Sequence, residues 1–176
     1  MASTSILNSQ STLQEVIMEF VLAPMRYPEI LPTVIPIIVG AVVIELYFGK
    51  HTNEDLGWNT SVGNAIVWVT TGLVMYLTTD LGTQETYATF GLIGLGLGVA
   101  YLNFFHKWSS TIAFLASSSG IVYTLTYIFV VFVKTDMTLN NTVLKGAGIF
   151  LVGVITAFHI IQMFETPAND GVGSLQ

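Results

Sequence analysis

The sequence predicts an all-α polytopic membrane protein, a bundle of about five transmembrane helices led by a short amphipathic helix. Three observations carry this. Only 9% of the 176 residues are charged while 52% are hydrophobic, against roughly 25% charged in soluble domains. A water-soluble fold of this size could not cover its surface with so few charges, so lipid solvates most of the exterior. The apolar residues gather into runs close to the ~20 residues that cross a bilayer at 1.5 Å rise per residue. The charges lie between those runs and at the two ends, and the mean hydropathy is +0.70.

Residues 1–11 are rich in Ser, Thr, Asn and Gln and contain no Lys or Arg. They read as a flexible end, without the positive start of a signal peptide. A single transmembrane helical domain is expected over 12–165. In its first turns Leu13, Val16, Ile17 and Phe20 recur at helical spacing, with Glu15 and Glu19 on another face. This run is too short to span and reads as an amphipathic helix in the membrane interface or packed under the bundle.

The first span is expected over 29–49. Pro28, Pro32 and Pro36 open it four residues apart, and Pro36 should kink the helix by removing a ladder bond. Further spans are expected over 61–79, 87–105, 110–133 and 143–164. Few residues separate the third and fourth, so these should be antiparallel neighbours. The tail, 166–176, has the composition of a disordered segment.

Inside lipid, helices associate through close packing rather than the hydrophobic effect, and small residues permit it. Gly94 and Gly98 form a GxxxG pair in the third span. Ala116 and Gly120 repeat the pattern in the fourth, and Gly148 and Gly153 supply small positions in the fifth. These six are the expected packing positions, within the chain or between copies. Ser117, Ser118 and Ser119 fall mid-span, where their hydroxyls bond their own helix or a neighbour.

An up-and-down path through five spans brings particular residues to one membrane face. Glu45, Lys50, His51, Glu54 and Asp55 end the first span there. Trp58, Asn59 and Asn64 begin the second, Asn103, His106, Lys107 and Trp108 end the third, and His159, Gln162 and Glu165 end the fifth. All three histidines and several carboxylates therefore share that side. The opposite side holds Arg26, Glu29, Asp80, Glu85, Lys134, Asp136 and Lys145, whose excess of Lys/Arg, three against Lys50 and Lys107, favours it as the cytoplasmic side without fixing the orientation. Glu45, Asn64, His106, His159 and Gln162 form the candidate polar or ion site. An ionisable group within a span is costly and is a functional hypothesis by default. Glu45 could instead snorkel, or pair with Lys50 or His159. Trp58 and Trp108 suit an aromatic belt, and Trp68 suits packing.

His51, His106 and His159, with Glu45, are residue types that zinc or iron would take. Their spacing matches no metal motif, and no cofactor is expected. HExxH, GxSxG, P-loop and kinase patterns are absent. With no cysteine, thiol chemistry and disulfides are excluded. A net charge of −6, from 11 acidic and 5 basic residues, leaves no basic stripe for nucleic acid.

The stretch Glu45-Leu-Tyr-Phe-Gly49, followed by Glu54-Asp-Leu-Gly-Trp-Asn-Thr60 and Gly63-Asn64, resembles a segment of small uncharacterised archaeal multi-pass membrane proteins. The resemblance covers the first two spans and their loop. It implies an archaeal cell or virus membrane and carries no activity or catalytic residue. Physically, Gly49 and Gly57 suit tight turns, Asn59 or Thr60 suits a helix cap, and Asn64 suits a bond to a neighbouring helix.

The expected function is therefore that of a non-catalytic structural or accessory subunit in a membrane assembly or homo-oligomer, in the plasma membrane. One alternative is a channel or proton- or ion-coupled transporter using Glu45 and His159. Another is an intramembrane enzyme acting on lipid.

Overall fold

The computed structural model describes residues 11–51, 57–135 and 137–164. Expectations for 1–10, Glu54, Asp55, Asp136, Glu165 and the tail lie outside the described residues. Within them, every regular element is helical: α1 (Leu13–Arg26), a 3-10 turn (Pro28–Ile30), α2 (Leu31–Lys50), α3 (Trp58–Thr78), α4 (Thr83–Phe104), α5 (Ser110–Ala116), α6 (Ser119–Lys134) and α7 (Asn141–Met163). Five stretches are long and apolar enough to cross a membrane: Pro28–Lys50, Trp58–Thr78, Thr83–Phe104, Ser110–Lys134 and Asn141–Met163. The protein is thus an all-α, multi-pass, membrane-integral bundle.

Local chemistry explains where the helices start. Thr12 caps α1 in a capping box, accepting from the Glu15 amide while the Glu15 carboxylate accepts from the Thr12 amide. This satisfies two donors that a helix start would leave unpaired. Pro28 opens the 3-10 turn and Pro32 lies in the first turn of α2, where the missing N–H of proline costs nothing. Asn140 caps α7 through the amides of Thr142 and Val143. The cap expected from Asn59 or Thr60 is not formed. Gly57 takes the cap position of α3, and Asn59 and Thr60 fall inside the helix. Gly49 makes no turn either. It lies within α2, where a side chain would begin 3.0 Å from Gln162 Cγ.

The fourth span is the centre of the bundle. In its most apolar stretch 61% of the residues are buried, whereas in that of the fifth span 6% are. Around α6, α2 runs antiparallel, with Gly40 against the Tyr123 ring. On another side α3 runs parallel, bonded through Asn64 and Trp68. The closest pairing joins α3 and α4. A Cβ on Gly72 would meet Ile93 Cγ1 at 2.5 Å, and one on Gly96 would meet the Ala65 carbonyl at 3.0 Å. Those two glycines let the backbones approach. By contrast α4 meets the fourth span, through both α5 and α6, far less extensively than it meets α3.

Within the chain, the close contacts fall on other glycines than those the sequence pattern selected. Gly94, Gly98, Gly148 and Gly153 have nothing within 4 Å of where a side chain would begin. They face out of the bundle, while Gly72, Gly96 and Gly146 carry the close contacts. Ala116 and Gly120 do not share one continuous helix, because the backbone breaks between α5 and α6.

Helix α1 packs alongside α7. Val16 meets Gly146, and the Phe20 and Phe150 rings lie 5.4 Å apart. The Tyr127 hydroxyl donates to the Phe20 carbonyl at 2.7 Å, pinning α1 to α6. Glu19, expected on the polar face of α1, is instead 1% exposed. Its carboxylate forms an ion pair with Arg26, and its Oε1 has no hydrogen-bond partner among the described residues. Burial, reinforced by this carboxylate, pushes the Tyr27 phenol up to about 12.

Candidate functional site

The fourth span is interrupted at Ser117–Ser118. α5 ends at Ala116, and Ser118 adopts an extended backbone with φ −60° and ψ 143° before α6 begins. Three serines followed by Gly120 favour such a break: serine hydroxyls compete with helical hydrogen bonds, and glycine is a poor helix former. A break at membrane depth frees backbone groups, and these need partners inside the protein. Here Asn64 of α3 partners the Ser117 carbonyl, and side chains of α4 and α2 bond the hydroxyls of Ser117 and Ser119.

On the α3 and α4 side, Asn64 donates through Nδ2 to the Ser117 carbonyl at 2.7 Å. Asn103 donates to Ser117 Oγ at 2.8 Å and accepts from Trp108 Nε1 at 2.6 Å. Ser117 and Asn103 are both 0% exposed. One turn into α6, Trp68 Nε1 donates to the Val122 carbonyl at 3.1 Å. Two helices, α3 and α4, are thus tied to the broken span by uncharged hydrogen bonds.

On the other side lies Glu45. Its Oε1 accepts from Ser119 Oγ at 2.6 Å, and its Oε2 accepts from Gln162 Nε2 at 2.8 Å. The same amide reaches the Glu45 carbonyl at 3.3 Å. Ser118 provides α6 with no side-chain cap, so the carboxylate sits beside a helix start that carries partial positive charge. Gly120 makes room, since a side chain would begin 3.3 Å from Glu45 Oε1.

Of the residues expected to form the site, Glu45 and Gln162 come together directly, and Asn64 joins them through the Ser117–Ser119 segment. The histidines do not join. His159 is exposed on α7, so Glu45 is paired with Ser119 and Gln162 instead of His159 or Lys50. His106 stacks on Trp58 with ring centroids 4.0 Å apart and takes a left-handed φ of 50° just beyond α4. The His51 ring lies 4.5 Å from Tyr47. Among the described residues no group of three His, Cys, Asp or Glu side chains could hold a metal ion, so the residues offered as metal candidates do not assemble. The sequence placed Asn103 and Trp108 on this face and gave the Ser119 hydroxyl a bond to its own helix or a neighbour, but did not include the three in the candidate site. The signal was present in the serine run and in one asparagine near the end of an apolar span.

Chemically, the arrangement presents one carboxylate with two hydrogen-bond donors, and a series of amide and hydroxyl bonds. No family model, no curated protein and no solved structure matches the chain.

Proposed function

We propose that the protein is a non-catalytic membrane subunit that works by associating with further copies of itself or with other membrane subunits. The observation that supports this most is the fifth span. Only 6% of the residues in its most apolar stretch are buried within the chain, and Gly148 and Gly153 lie on open faces. The polar groups around Ser117, in contrast, are spent on tying helices of the same chain together, as a structural subunit requires. On this reading the side that holds Arg26, Lys134 and Lys145 faces the cytoplasm, and the membrane is archaeal, of a cell or a virus.

The chain contains no cysteine, so single cysteines report contacts cleanly. Gly148→Cys and Gly153→Cys, oxidised in native membranes, should each give a disulfide-linked dimer or a crosslink to a discrete partner. A chain that stays uncrosslinked at both positions, and sediments as a monomer in mild detergent, refutes the proposal.

A second reading, a proton- or cation-coupled pathway, draws support from the interrupted fourth span meeting Glu45. Discontinuous helices beside carboxylates are a recurring form of ion site in transporters. Proteoliposome flux abolished by Glu45→Gln would favour it, and flux indistinguishable from empty liposomes would remove it.

A further inference from the structure

A cavity of about 330 Å³ lies between α1, α2, α6 and α7, lined by Phe20, Ile37, Ala41, Tyr123, Phe150 and Phe158 among others. Its walls come from the middle of three spans, since Ile37 and Ala41 fall centrally in Pro28–Lys50, Tyr123 in Ser110–Lys134 and Phe150 in Asn141–Met163. The cavity is therefore at the depth of the hydrocarbon core. Val21 and Ile38, 52% and 41% exposed, stand at its rim, so it opens sideways between α1 and α2 toward lipid.

The space is built into the fold. Tyr127 donates to the Phe20 carbonyl and its ring stacks 5.7 Å from Phe150, which fixes α1 and α7 as adjoining walls. Gly40 holds a third wall back: a Cβ there would lie 2.8 Å from Tyr123 Cε1. Without that Cβ, the Tyr123 ring rests against α2.

Protein interiors are close-packed, and a void of this size forfeits the dispersion contacts of its lining. Water is a poor filler, because it needs two to four polar partners. Besides the Tyr127 hydroxyl, already bonded to Phe20, the lining provides the hydroxyls of Tyr123 and Thr124. At about 30 Å³ per water- or methylene-sized group, the volume suits roughly ten linked methylenes. We propose that this cavity is a binding site for one hydrocarbon chain of a bilayer lipid, entering sideways between α1 and α2. The chain completes the packing of α1 against the bundle. This inference is independent of the fifth-span association.

The test is native mass spectrometry of the full chain, purified in mild detergent and then supplied with dioleoyl phosphatidylglycerol. The wild type should retain one lipid through delipidation that strips the annular shell, and adding lipid back should raise its thermal midpoint. Ala41→Phe and, independently, Val154→Phe fill the cavity and should reduce retention at least tenfold, with the midpoint no longer responding to lipid. Leu97→Phe, on the exposed side of α4, should retain lipid as the wild type does. Equal retention in wild type and both filled variants overturns the site. So does a wild type that holds only detergent and gains no stability from lipid.

Discussion

The residue that should reveal most about how this bundle holds together is Asn103. It is fully buried and bridges Ser117 Oγ at 2.8 Å and Trp108 Nε1 at 2.6 Å. Asn103→Ala removes both bonds. Interhelical hydrogen bonds in membranes average about 0.6 kcal/mol, with a maximum near 1.7. The bond to Ser117 and the local bond to Trp108 together give a loss between about 1 and 3 kcal/mol, with a small cavity adding at the upper end. The assay is reversible unfolding in mixed micelles by increasing dodecyl sulfate, followed by tryptophan fluorescence. Trp108 is a built-in reporter, because its indole loses its acceptor. The decisive measurement is the double-mutant cycle of Asn103→Ala with Ser117→Ala. If the bond ties α4 to the broken span, the coupling energy should fall between about 0.6 and 1.7 kcal/mol. Additivity within about 0.3 kcal/mol, the behaviour of independent sites, would refute the argument that the break is held by this network.

Three further outcomes follow from the same geometry. Gly96→Val should destabilise the α3–α4 pair by about 1–3 kcal/mol through overpacking, while Gly94→Val, on the open side of the same helix, should change monomer unfolding by less than about 0.5 kcal/mol; equal effects would mean the helix is rotated from the position described. Ser119→Ala removes one of the two side-chain donors to Glu45 and should lower stability by about 1–2 kcal/mol, and in a Glu45→Leu background the same change should cost far less. For Tyr27, ultraviolet titration should show the phenol protonated to about pH 12 in the folded protein. Because the unfolded chain loses that proton near pH 10, the contribution of Tyr27 to stability is intact below pH 10 and declines between 10 and 12; Tyr27→Phe should flatten that decline.

Five spans, their order and their approximate limits were legible in the sequence, because membrane crossing is a one-dimensional property. Length and hydropathy set it, and each helix satisfies its own backbone bonds without reference to its neighbours. The gathering of Glu45, Asn64 and Gln162 toward one membrane face was legible for the same reason, since alternating direction follows from counting spans. Helix rotation is a different kind of quantity. Every face of a membrane helix is apolar, so periodicity does not separate the inner side from the outer. GxxxG therefore pointed to Gly94 and Gly98, while packing used Gly72 and Gly96. Only the tertiary structure decided that the fourth span breaks at Ser117–Ser118, that Ser119 and Gln162 rather than His159 meet Glu45, and that Glu19 turns inward. Each outcome depends on which side chains from distant segments arrive within about 3 Å of a given backbone group, and that distance is set by the docking of whole helices.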